Sequence, residues 1–404
     1  MFWEKKLDSW VDNIRAHTSL PLRLQLWNGR QYDFGTQAPQ VTISVPDVSA
    51  IAYLLRPSLA NLGKAYVEGM IQVEGRVNEI IGVANALASN TLTRRHALPW
   101  HNPFRHTRRK DAEAIQYHYD VSNAFYQAFL DENMVYSCAY FENGDEDLAT
   151  AQIRKIDHIL TKIGVQPGDT LLDIGCGWGA LVMRAASKFG ARCVGVTLAK
   201  NQHSLAVERV ARAGLSSRID IRLQDYRDVT GVFKRITSVG MFEHVGVQNL
   251  PAYFAKINTL LADGGLAMNH GITSTNVDNG ETPYGGGRFI ETYVFPQGEL
   301  PHIGNVLRAM QQGGLEALDV ENLRRHYART CELWADNFEA NAETIHGLVD
   351  EKKFRIWRVY LAGCAYAFGA DWISLNQIVC GKAAARVTQL PWSRKYMYPS
   401  SNAR

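Results

Sequence analysis

Cysteine is sparse in this 404-residue chain: Cys138, Cys176, Cys193, Cys331, Cys364 and Cys380 are scattered, with no Cys-x-x-Cys pair. That spacing excludes a zinc ribbon or a disulfide scaffold, so no metal site is expected, and a reducing, cytoplasmic compartment is the simpler expectation. Long hydrophobic runs are missing too. The N-terminus carries Glu4 and Asp8 and lacks the apolar core of a signal peptide. The most apolar late stretch, Val359 to Leu375, is broken by Asp371 and contains two glycines. A spanning helix needs about 20 mostly apolar residues, so this stretch reads as a buried core helix and any membrane is met from one side. Charge of one sign is not in excess: 43 basic against 40 acidic residues give +3, too even for a nucleic-acid partner. Internal repeats and low-complexity tracts are absent, and so is a G-x-x-x-x-G-K-[ST] phosphate loop.

What remains is ordinary globular material, 46% hydrophobic and 21% charged, long enough for two domains. The first hundred residues read as a small mixed α+β segment. Val41 to Val45 (VTISV) alternates like a half-buried strand, and helical patterns follow over Val48 to Leu55, stopped by Pro57, and Val77 to Leu87. Periodicity is lost around Arg94, Arg95, Pro99, Trp100, Pro103, Arg105, Arg108, Arg109 and Lys110, which marks a linker. Its basic and aromatic mixture suits an anionic membrane surface, and equally a solvated connection. The expected division is 1–93, a basic linker 94–114, and 115–404.

From Ile115 onward, strand and helix alternate. Short apolar strands are expected at Thr170–Ile174, Arg192–Val196, Ile219–Leu223, Ile236–Val239 and Leu266–His270, with helices over Ala180–Phe189 and Asn201–Ala213. This is the pattern of an α/β doubly wound, Rossmann-like sheet with helices on both faces. The turn Leu172-Asp173-Ile174-Gly175-Cys176-Gly177-Trp178-Gly179 closes the first of these strands. Its glycines let a ligand approach the backbone at the carboxyl edge of the sheet. The spacing is G-x-G-x-G, and the second strand ends Val196-Thr197-Leu198 without the acidic residue that a nicotinamide ribose requires. A nucleoside without a pyrophosphate fits better. Gln224-Asp225-Tyr226, just past the third strand, would grip an adenine, with Tyr226 stacking and Asp225 accepting from the exocyclic amine.

The glycine turn resembles the first motif of S-adenosylmethionine-dependent methyltransferases. Four further segments narrow the likeness: His118-Tyr119-Asp120-Val121-Ser122-Asn123 with Tyr136-Ser137-Cys138-Ala139-Tyr140-Phe141; Val196-Thr197-Leu198 with Asn201-Gln202; Gly240-Met241-Phe242-Glu243-His244-Val245-Gly246; and His326-Tyr327-Ala328-Arg329-Thr330 with Trp334. Together they resemble the cyclopropane-fatty-acyl-phospholipid synthases, and the long N-terminal segment favours the phospholipid-acting members over the mycolic-acid ones.

The resemblance implies that a cis double bond of a phospholipid acyl chain attacks the sulfonium methyl of S-adenosylmethionine. The resulting carbocation then loses a proton from the new methyl group and closes a three-membered ring. It also implies a bound bicarbonate as base, held by Cys138, Glu243, His270, Ile272 and Tyr327. Tyr136, Ser137, Gly175, Gly177, Thr197, Gln202, Gln224 and Tyr226 would surround S-adenosylmethionine. By the same likeness, the N-terminal segment would face lipid and support a homodimer, peripherally attached to the inner face of the membrane. The thiol of Cys138 need not react, since nothing nearby would activate it. Thr273 to Leu300, with Gly285-Gly286-Gly287, Phe289, Tyr293 and Phe295, is expected to be a long loop roofing an apolar acyl channel.

Other outcomes share this machinery. The same cation could give a methylene- or methyl-branched chain. Plant alkaloid N-methyltransferases carry the same glycine turn, but an amine nucleophile would leave Tyr327 and His270 idle. A lipid-binding protein that had lost catalysis would show a broken cofactor motif or lack Glu243, and neither is seen.

Overall fold

A computed structural model describes residues 2–91, 121–277, 282–296, 298–383 and 390–398. The basic linker and the His118-Tyr119-Asp120 start of one motif lie outside them.

The N-terminal segment builds a four-stranded sheet from β1 (Leu22–Leu26), β2 (Gln31–Asp33), β3 (Val41–Val45) and β4 (Gln72–Glu74), in the order β2-β1-β3-β4. On β3 the expected alternation buries Val41, Ile43 and Val45. The helix Phe2–His17 sets Leu7, Val11 and Ile14 against this sheet's core, the spacing of one helical face. The first expected helix is a short 3-10 turn, Val48–Ala50, running into Ile51–Leu54. Asp47 starts it by accepting from the Ser49 amide at 2.7 Å. The second expected helix spans Val77–Thr91, one turn longer than its apolar pattern.

The second sheet has seven strands: β5 (Thr170–Ile174), β6 (Arg192–Thr197), β7 (Ile219–Leu223), β8 (Phe233–Val239), β9 (Leu261–Ser274), β10 (Leu315–Asn322) and β11 (Ile373–Lys382). Their order is β10-β11-β9-β8-β5-β6-β7, and β5 to β9 pair in parallel. This is the expected α/β sheet. The chain leaves β5 to one side for β6 and later returns on the other as β8, so a ligand crevice opens at the carboxyl end of β5.

The two antiparallel strands β10 and β11 were not legible in the sequence. Val359 to Leu375 is not one helix: the helix Glu351–Gly369 stops, Asp371 turns with φ 59°, and β11 begins at Ile373. Paired with β9 on one side and β10 on the other, β11 is buried from Ile373 to Gly381. A strand with both faces covered lacks the alternation of a half-buried one, and in β11 Ser374, Asn376 and Gln377 also interrupt the apolar run.

The N-terminal sheet shares its core with the helices Arg324–Ala340 and Glu351–Gly369, while the seven-stranded sheet is buried mainly in two clusters of its own. Leu24, Ile43, Leu62 and Val83 belong to the same apolar cluster as Trp334, Trp357 and Leu361. Arg355 ties the helix Glu351–Gly369 to the N-terminal segment through the Tyr66 carbonyl (2.9 Å) and Gln72 Oε1 (2.8 Å). Arg358 adds the Tyr66 hydroxyl and the Gly75 carbonyl, both at 3.2 Å. Among the described residues, no helix is long and apolar enough to cross a membrane.

Candidate active site

The turn after β5 takes the left-handed backbone that glycine permits: φ is +81° at Gly175, +54° at Gly177 and +85° at Gly179. Gly175 and Cys176 donate their amides to the Val196 carbonyl at 2.9 and 3.0 Å, which pins the turn to the end of β6. A cavity of about 140 Å³ lies over it. All eight residues expected around the cofactor line this cavity: Tyr136, Ser137, Gly175, Gly177, Thr197, Gln202, Gln224 and Tyr226. Thr197 and Gln202 hold each other at 3.0 Å. Asp225 is a correction. Its carboxylate is gripped by Arg227, Nε to Oδ1 at 2.9 Å and Nη2 to Oδ2 at 2.6 Å, and it is not among the lining residues, so it is already engaged and poorly placed to receive an adenine amine.

A second cavity, of about 850 Å³ and mainly apolar, begins where the first ends: Tyr136, Ser137, Gly240 and His244 belong to both. Glu243, His270, Ile272 and Tyr327 line this second cavity; Cys138 does not. Glu243 sits on a 3-10 turn, Phe242–His244, and reaches across to accept the Ile272 amide at 2.7 Å on Oε1. That reach depends on Gly271, where a Cβ would stand 2.3 Å from the Phe242 ring. The Ile272 amide is thus already engaged by Glu243.

Two buried polar atoms in this wall have no hydrogen-bond partner, Glu243 Oε2 and His270 Nε2. Burial pushes the Glu243 carboxyl up to about 7 and, with Lys155 and Lys162 nearby, holds His270 well below the usual histidine range. His270 is therefore a neutral ring at pH 7. Burial also raises Tyr327, so its hydroxyl stays protonated.

Cys138 is fully buried, and its thiol points to the carbonyls of Ala139 (3.2 Å) and Leu323 (3.8 Å). Burial raises its pKa, so no thiolate forms. Cys138→Ala is expected to keep transferase activity within about threefold and cost about 1 kcal/mol of stability. Initial rates and denaturant melts check this; a loss above a hundredfold would restore a chemical role for the thiol.

Sequence reasoning missed Lys155. It is buried on the helix Leu148–Lys162 and donates to Ser137 Oγ at 2.6 Å. Burial lowers it to about 8. It anchors the Tyr136–Ser137 stretch that both cavities share. The signal was present: Lys155 and Lys162 lie two turns apart on the apolar stripe of Ile156, Ile159 and Leu160. The expected loop over 273–300 is also revised, since it contains the helix Gly286–Tyr293, whose Phe289 and Ile290 line the larger cavity. Phe289 packs onto Gly63, where a Cβ would be 2.6 Å away.

Comparison with known proteins supplies the lineage. The family model for mycolic acid cyclopropane synthetase matches residues 106–378, and a domain of unknown function (DUF7884) matches 9–96. A probable fatty acid methyltransferase of Pseudomonas putida is 48% identical over 94% of this chain and 96% of its own. The tuberculostearic acid methyltransferase UfaA1 of Mycobacterium tuberculosis is 37% identical over 90% of this chain and 88% of its own. The crystal structure of the mycolic acid cyclopropane synthase CmaA1 with SAH and CTAB superposes with a TM-score of 0.64 at 37% identity, covering 67% of this chain and 98% of that one. With the family model matching 106–378, more than half of the chain, the chain belongs to the mycolic acid cyclopropane synthetase family and has the S-adenosylmethionine-dependent methyltransferase fold.

Proposed function

We propose that the protein transfers the methyl carbon of S-adenosylmethionine to a cis double bond in a phospholipid acyl chain and closes a cyclopropane ring, with bicarbonate as the bound base. The observation that carries this reading is the junction of the two cavities at Tyr136, Ser137, Gly240 and His244. A cavity built on the glycine turn meets a larger, mainly apolar cavity there, and unpartnered Glu243 Oε2 and His270 Nε2 stand in the wall of the larger one. S-adenosylmethionine supplies an electrophilic methyl group when bound; the SAH bound to CmaA1 supports this donor.

One neutral N–H donor and one carboxylate acceptor fit a small anion that keeps a hydroxyl proton, which is what bicarbonate is. When bound, it supplies a base for the proton lost from the transferred carbon. His270 Nε2–H and the Tyr327 hydroxyl would donate to it, and the ionised Glu243 would accept its hydroxyl proton, whereas Cys138 stands outside this cavity. The other groups facing the reaction are rings: Tyr136 and Tyr327 lie 5.0 and 5.9 Å from Trp334. Their faces attract positive charge developing on the acyl chain, and unlike water they do not add to it.

The lipid tail would occupy the larger cavity, whose wall includes Ile43, Leu62, Ile80 and Ala84 of the N-terminal segment beside Phe289 and Leu361. Access from a bilayer then requires the protein to sit at the membrane surface, on the cytoplasmic side.

The test is purified protein with S-adenosylmethionine and vesicles of cis-monounsaturated phospholipid, with and without bicarbonate. Acyl chains gaining one CH2, with upfield ring-proton signals and a rate that falls when bicarbonate is removed, are expected. The same mass gain with vinylic signals would favour a second reading, a branched product, which the likeness to the tuberculostearic acid methyltransferase supports. No transfer to any lipid, despite cofactor binding, would overturn the assignment.

A further inference from the structure

We infer that Gln377 and Lys162 are positioning residues that lock His270 in the tautomer carrying its proton on Nε2, making the ring a fixed donor toward the reaction site. The inference rests on the proposed reading for its functional consequence, and on geometry for the lock itself.

The geometry begins with strand register. Glu321 on β10 lies opposite Gln377 on β11, and Gln377 lies opposite His270 on β9. Directly opposed residues on neighbouring strands share a face and touch. The three side chains therefore form a row across the sheet, and Lys162, at the end of the helix Leu148–Lys162, comes down onto it. Lys162 is fully buried and bound by Glu321 Oε2 at 2.6 Å and Asp319 Oδ2 at 3.1 Å. Its Nζ also donates to Gln377 Oε1 at 3.3 Å.

That last bond decides the rest. An ammonium has donors and no acceptor, so the Gln377 oxygen must face Lys162. The amide nitrogen then faces the other way and stands 3.2 Å from His270 Nδ1. An amide nitrogen can only donate, so Nδ1 is the acceptor and carries no proton. The proton of a neutral imidazole is left on Nε2, because the bond made by one ring nitrogen sets the state of the other. Nε2 is the buried atom without a partner in the cavity wall. The neighbouring cations Lys155 and Lys162, together with burial, keep the ring from taking a second proton. Gln377 is itself fully buried, so no solvent competes for its amide.

The experiment uses the full chain labelled with 15N-histidine and long-range 1H–15N correlation spectra, with the His270 signals assigned by their loss in His270→Gln. Expected is a pyrrole-type Nε2 and a pyridine-type Nδ1 that do not titrate between about pH 6 and 8. In Gln377→Glu the carboxylate accepts from Nδ1–H, so the signature should invert or become that of a charged ring. Transfer to vesicles should then fall by about 10²-fold or more with S-adenosylmethionine affinity within about twofold, as for other tautomer-setting residues. Gln377→Met keeps the length without a donor; it should blur the signature and cost about tenfold in rate, and it serves if the charged variant fails to fold. A wild-type Nδ1–H signature, or one untouched in both variants, overturns the lock. A signature that moves as expected while transfer stays within about twofold confirms the lock and overturns the role proposed for His270.

Discussion

Replacing Glu243 with glutamine is expected to lower transfer to lipid by about 10³-fold and, at pH 8, to make the protein more stable. Both effects come from one buried charge. Glu243 Oε1 takes the Ile272 amide at 2.7 Å while Oε2 has no partner, and burial lifts its pKa from the ordinary 4.5 to about 7. A carboxyl whose folded pKa is raised contributes stability that is complete below the unfolded value near 4.5 and is lost as pH rises through about 7. The shift corresponds to on the order of 3 kcal/mol above pH 7. Glutamine can still accept from Ile272, removes the charge and recovers much of that cost, so its melting temperature should exceed wild type at pH 8 and match it at pH 5.

Activity moves the opposite way. Only the ionised form accepts the proton of a bound anion, so the wild-type rate should rise through about pH 7, and the residual rate of Glu243→Gln should lack that limb. Rate profiles and melts at both pH values check the pair. Retention of a third of wild-type activity, or a profile without the rise, would remove Glu243 from the chemistry.

Ala84→Trp is expected to cut transfer to long acyl chains by more than about 50-fold while leaving S-adenosylmethionine binding intact. Ala84 lies on the N-terminal helix Val77–Thr91 and lines the larger cavity. The next residue, Asn85, donates its side-chain amide to the Tyr366 hydroxyl on the helix Glu351–Gly369, so an indole at 84 enters the space between these helices. The cofactor cavity has no residue from this helix. Shorter chains should be less impaired than longer ones, which separates blocking from unfolding, and a thermal melt confirms the fold. Equal activity on all chain lengths would place the lipid elsewhere.

The division between what sequence showed and what it hid follows burial and distance. Glycine spacing after β5 and the apolar runs of β5 to β8 are local signals, and they located the sheet and the glycine turn of the nucleoside pocket; Tyr136, Ser137, Thr197 and Gln202 came from motif likeness, and Lys155 was missed. Glu243, His270 and Tyr327 came from motif likeness, and the structure sets them in one wall although they come from three separate elements. Residues that act by contact across strands left no local trace. Gln377 lies in a continuously buried strand without alternation, and its meaning depends on standing opposite His270, over a hundred positions away. Asp225 failed for the converse reason: its position was right, but an arginine two residues on occupies its carboxylate.

Tyr136 and Ser137 line both cavities, and Lys155 fastens Ser137 from behind. Any ligand that shifts this short partition changes the fit of the ligand on its other side. Thermodynamic linkage requires the exchange to be symmetrical: the factor by which the nucleoside alters affinity for the tail equals the factor by which the tail alters affinity for the nucleoside. Under the proposed reading, a shift of this partition would link the binding of the spent nucleoside to that of the modified lipid through two side chains.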